Sequence, residues 1–187
     1  SGSYRGPCAV LAEGEVALTS GEHRAIAVVS TAAESTVLRS QLLQFEPGAL
    51  AASDDSIVLL DATRNRVIRL AKDSLEETGD WPLSRSGRSL AVGPSGTIWA
   101  GLEAGRVVRI STAGEVKQIQ LDGVVEDLVA VDGLAWALVR QEDEVRVVLL
   151  GLDGVQDERV IDPGAESLVD PGPSGDVAVV ASPDAEG

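Results

Sequence analysis

The phrase RVIRL at residues 66 to 70 returns as RVVRI at 106 to 110 and as RVVLL at 146 to 150, so that Arg66, Arg106 and Arg146 stand 40 residues apart. A weaker copy, AIAVV at 25 to 29, runs one residue out of step. A second register keeps the same period: Leu50, Leu90, Leu128 and Leu168 are separated by 40, 38 and 40 residues. Gly93-Pro94-Ser95-Gly96 recurs as Gly172-Pro173-Ser174-Gly175 after 79 residues, which is two periods. Self-similarity at this spacing confines the chain to a repeat architecture, in which each unit buries its apolar face against the next.

Inside each unit, apolar residues alternate or run together over four to seven positions and are halted by Gly, Pro, Ser or Asp. That is the punctuation of short strands, and the 3.6-residue spacing of an amphipathic helix is poor throughout. The clearest unit predicts strands at 88–92, 97–101, 106–111 and 115–121. Four antiparallel strands in about 40 residues make a propeller blade, and helical repeats of that length lack the pattern seen here. The expected fold is all-β: a β-propeller or partial propeller of four-stranded blades. The units fall at about 10–46, 48–86, 88–124 and 126–164, with a half unit at 166–187, in one propeller domain or segment.

LAVGPSGTIWAGLEAGRVVRISTAGEV, residues 90 to 116, resembles the repeat of the NHL, SMP-30 and streptogramin-lyase-like group of propellers. The resemblance rests on Gly93-Pro94-Ser95-Gly96, Trp99, Arg109-Ile110 and Gly114, and weaker units extend it over about 10 to 187. The Gly-His and Trp-Asp dipeptides of WD-repeat blades and the paired glycines of kelch blades are absent. Lyases of the resembled group use a histidine as general base, with glutamates holding a divalent metal. Glu103 stands one residue late for their Trp-Phe-Thr-Glu motif and lacks its Phe-Thr, so the enzymatic role does not carry over.

The turn tetrapeptide has its own physical logic. Pro94 presets φ for the second position of a tight turn, and Gly96 takes the positive φ that a side chain resists. A strand follows both copies, whereas a phosphate cradle needs a helix.

With 44% hydrophobic and 24% charged residues, the 187-residue chain has a globular composition. Its 30 acidic against 15 basic residues give a net charge of −15, which disfavours nucleic acid as a partner. No stretch has the length of about 20 apolar residues that a membrane-spanning helix needs, and none is expected to insert in a membrane. Cys8, the one cysteine, has no internal partner and reads as a packed or incidental thiol. The missing methionine and the SGS start, a cloning scar or processing site, suggest a cut piece. Four and a half units then imply an excised part of a six- to eight-bladed ring, against two chains closing one ring or a compact five-bladed ring. Open blades would offer unpaired strand edges for self-association.

Candidate chemistry is sparse. His23, the only histidine, lies in a turn between Glu22 and Arg24, without a second imidazole or thiol to share a metal. Arg66, Arg106 and Arg146 open corresponding strands and are expected to pair with nearby carboxylates: Asp61, Glu103, and Glu142 to Glu144. Trp99 and Trp136 are expected between blades. Asp54-Asp55, Glu76-Glu77, Glu126-Asp127 and Glu142-Asp143-Glu144 are expected at turns, without calcium-loop spacing. No catalytic, cofactor-binding or metal residue is assigned. The expected role is a noncatalytic scaffold binding a protein, glycan or small ligand, within an exported or cell-surface protein. The rival is a metal-dependent propeller enzyme of lyase or lactonase type.

Overall fold

The computed structural model describes residues 8–11, 14–32, 36–53, 55–131, 133–161, 163–169 and 178–181. The chain divides into two compact units, Ser1–Gly87 and Arg88–Gly187.

The first unit holds two four-stranded sheets. One is β1 (Cys8–Leu11), β2 (Glu15–Ser20), β3 (Ala25–Ser30) and β4 (Val37–Leu42); the other is β5 (Pro47–Ala52), β6 (Ser56–Asp61), β7 (Arg66–Ala71) and β8 (Glu77–Pro82). In the second unit, β9 (Gly87–Val92), β10 (Ile98–Leu102), β11 (Arg106–Ile110) and β12 (Val116–Gln120) form a third sheet. A fourth is β13 (Val124–Val131), β14 (Leu134–Gln141), β15 (Glu144–Gly151) and β16 (Gly154–Ile161). β17 (Ala165–Val169) and β18 (Ala178–Ala181) make a two-stranded sheet. Every sheet is an antiparallel meander in chain order, the topology of a propeller blade.

The sequence pattern explains the burial. In the second and third sheets the second strand is covered on both faces, so β6 (SIVLLD) and β10 (IWAGL) are buried at every residue and read as apolar runs rather than alternations. The fourth strand is the sheet edge, and β12 and β16 are mostly exposed and polar. In the first unit, Ile26 and Val28 of β3 pack with Leu50, Ile57 and Leu59 of the next sheet. In the second, Trp99 is fully buried among Val125, Ala137 and Val148 of the adjacent sheet, with the Arg109 guanidinium 5.8 Å from its ring centroid. Trp136 is half-buried against a smaller cluster that joins β14 and β15 to β17. Both tryptophans therefore fill space between successive sheets.

Each turn into a third strand carries a left-handed residue with a side chain: Arg24 (φ 46°), Asn65 (φ 53°), Ala104 (φ 58°) and Glu142 (φ 52°). This conformation is costly for L-residues, so the four turns share one constrained shape. Gly96 has φ 79° and donates its N–H to the Gly93 carbonyl at 2.8 Å, as the tetrapeptide requires. The second copy of that turn, 172–175, and Val177 lie outside the described residues; Val179 and Val180 lie on β18.

One expectation is corrected. Glu126 and Asp127 lie within β13, not in a turn; a bulge between Val125 and Asp127 lets an eight-residue strand carry them, and Glu77 likewise opens β8. Cys8, expected as a packed or incidental thiol, is exposed on β1, which removes the packed alternative. Asp54 is outside the described residues. Among the described residues, no helix is long and apolar enough to cross a membrane.

Candidate functional site

β6 runs into the turn 62–65 through Asp61, which is 0% exposed. Its Oδ1 accepts the backbone N–H groups of Thr63 and Arg64, each at 3.0 Å, the Asx arrangement that closes a turn. Its Oδ2 has no hydrogen-bond partner among the described residues. Asp61 is the direct cross-strand neighbour of Arg66, yet the Arg66 guanidinium extends to Asp80 on β8 and pairs with it there. That pair leaves Arg66 Nε and Asp80 Oδ1 buried and unpartnered. Leu43, Phe45 and Ile68, all under 10% exposed, form an apolar wall beside these groups. Together they line a cleft of about 270 Å³ within the first unit.

The repeat shows how unusual the acid is. The position opposite the first residue of the third strand is Ser20 in the first sheet and Leu102 in the third; opposite Arg146 in the fourth it is Val139. All three are buried, and none is charged. Among these four matching positions, a buried carboxylate stands only in the second sheet.

The arginines pair across strands, mostly with partners other than those expected from sequence proximity. Arg106 donates from Nε to Gln120 Oε1 at 3.3 Å, while Glu103 lies 3.9 Å from Arg88. Arg146 pairs with Glu158 and donates to the Asp122 carbonyl and, at 2.9 Å, to Gln141 Oε1; Glu144, an expected partner, lies 3.5 Å from its Nε. Asp80 and Glu158 are diagonal neighbours on the fourth strand, within reach because an arginine stem spans one pleat. The cleft beside Arg146 is about 120 Å³.

A wider hollow in the second unit surrounds Arg140. Here Arg140 donates to Glu126 at 2.7 Å and to the carbonyls of Pro163 and Ala165 at 3.0 and 2.9 Å. The Glu126 hydrogen bond, outweighing partial desolvation and aided by the charges of Glu126 and Glu166, raises its pKa. Asp127 Oδ2 accepts the Leu168 N–H at 2.9 Å. These contacts tie β13 and β14 to β17, which is structural work. His23 is exposed in its turn, where its backbone N–H donates to Ser20 Oγ at 3.2 Å. No group of three His, Cys, Asp or Glu side chains converges among the described residues.

No protein-family model matches the chain, and no curated protein does. Solved structures do. Hydrazine synthase of Kuenenia stuttgartiensis superposes with a TM-score of 0.78 at 14% identity, over 96% of this chain and 56% of that one. Virginiamycin B lyase from Staphylococcus aureus gives 0.71 at 16% identity, over 94% and 62%. BBS1N, in a complex with ARL6DN, gives 0.65 at 13% identity, over 83% and 52%. The fold is thus that of a β-propeller, including the streptogramin-lyase type that the repeat resembles, and the chain spans little more than half the length of these neighbours.

Proposed function

We propose that this chain is a noncatalytic β-propeller binding module whose ligand is a protein, a glycan or a small molecule. The observation that supports this reading is the cleft at Asp61. It is a recess with an apolar wall and polar atoms that the fold leaves unused, and it holds no nucleophile beside a general base. At Arg146 and Arg140 the carboxylates are taken up by the guanidiniums, and among the atoms of these pairs only the donor Arg146 Nε is buried without a hydrogen bond. That BBS1N is found in complex with another protein is in keeping with a binding role, though the likeness is of fold alone.

The rival, a metal-dependent lyase or lactonase, needs a stably held divalent ion. Elemental analysis of the protein purified without chelator separates the two. Substoichiometric metal is expected, and one tightly held ion per chain would overturn the binding-module reading.

A further inference from the structure

We infer that the cleft of the first unit is a recognition site for a primary ammonium group carried on an apolar stem. The inference rests on the binding-module reading and names the chemistry of the ligand. Three carboxylates (Asp61, Glu77, Asp80) and two guanidiniums (Arg64, Arg66) line the cleft, leaving a formal charge of −1. Arg66 and Asp80 neutralise each other, which leaves Asp61 and Glu77 against Arg64.

Burial decides the sign of the ligand. Asp61 is 0% exposed, and its Oδ2 is an acceptor without a donor. A carboxylate in that condition is costly, and a charged donor relieves the cost better than a neutral one. Asp80 Oδ1, the second unused acceptor lining the cleft, suits a head with several N–H groups, as an ammonium has. An anion would meet the bare Asp61 oxygen and is disfavoured. The stem has its own surface in Leu43, Phe45 and Ile68.

Turn closure explains only half of Asp61. The two turn amides use Oδ1, and an asparagine would serve them equally through its carbonyl oxygen. The Ala104 turn keeps its left-handed residue with buried Leu102 at the matching place, so a turn of this kind forms without an acid there. The charged Oδ2 is what remains to be explained, and an ammonium explains it.

An ammonium on an apolar stem could be a free alkylamine or a lysine side chain of a partner protein. The test is a backbone-amide NMR titration of the whole chain with n-butylammonium, with Nα-acetyl-lysine-N-methylamide, and with n-butanol as the uncharged control. Saturable shifts centred on Thr63 to Ile68 with both amines, and not with butanol, are expected. Tighter binding of the lysine compound identifies a protein ligand, and tighter binding of the free amine a small one.

Asp61→Asn should weaken binding about tenfold or more, because a charge-assisted hydrogen bond is lost while the turn is kept. Asp61→Leu, which installs the residue found at the matching place in the third sheet, should abolish binding and leave the melting temperature equal or higher. No saturation by either amine in the parent chain, or equal affinity in Asp61→Asn, overturns the inference even if both variants fold poorly. A negative titration in metal-free protein removes only the ammonium ligand. Stoichiometric metal would remove the binding-module reading itself.

Discussion

The clefts beside Arg66 and Arg146 are built from the same parts of the repeat, and they have opposite character. Both lie against the first arginine of a third strand, with a diagonal acid on the fourth. Beside Arg146 the arginine side chain is 14% exposed and its guanidinium is held by Glu158, Gln141 and the Asp122 carbonyl, and Val139 fills the place opposite. Beside Arg66 the arginine side chain is 38% exposed, has Asp80 as its ion-pair partner, and faces a buried acid whose Oδ2 is unsatisfied among the described residues. Among the described residues the first arrangement leaves one buried donor, Arg146 Nε, without a hydrogen bond, and the second leaves Arg66 Nε together with two acceptors, Asp61 Oδ2 and Asp80 Oδ1. One repeat position serves as a staple in one blade and as a recess in another. A hydrophobic-to-acid exchange and one lost clamp account for the difference.

The largest effect is expected from placing the acid in the other blade. Val139→Asp buries a carboxylate in an apolar cluster, opposite an arginine already engaged, so a loss of about 3–5 kcal/mol is expected in denaturant unfolding. A loss under about 1 kcal/mol would mean that the site accepts an acid as readily as the Asp61 site does.

Truncating the two arginines sharpens the contrast between the clefts. Arg146→Met should cost about 2–3 kcal/mol, since it strands a carbonyl and an acid. Arg66→Met should cost about 1 kcal/mol, since a half-exposed pair is screened by water. Parallel thermal melts of the two variants check the ranking, and equal losses would erase the distinction between staple and recess.

The smallest effect is expected at the clamp. Gln141→Glu replaces a neutral acceptor of Arg146 by a charged one at an exposed place, with a gain of less than about 0.5 kcal/mol. Melts in low and high salt should show the gain fading as screening increases. A gain that persisted in high salt would show the clamp to be more buried than its neighbours indicate.

Parts of the site were legible in the chain, others not. Arg66 stands out through the period, and Asp61 ends an apolar run ahead of Thr63, which is a turn signal. That signal offers Asp61 as a surface turn residue or a partner for Arg66. It does not show that Oδ2 is buried, because the wall of Leu43 and Phe45 comes from the segment before β5. The same limit applies to Glu126 and Asp127. Their charge suggested a turn, and contacts to Arg140 and Leu168 hold them on a strand edge instead.

The sequence by itself determined the blade. Period, turn chemistry at Gly93 to Gly96, and apolar runs such as SIVLLD are local properties, set by steric limits on φ and by which strand faces are covered, and they need no distant partner. Only the tertiary structure decided which ionic groups meet. Arg66 reaches Asp80, and Arg146 reaches Glu158, because pairing of the third and fourth strands sets those residues one pleat apart. The availability of Asp61 is likewise a matter of three dimensions. A carboxylate's need for a partner depends on how much water and how many donors surround it, and packing between sheets sets both.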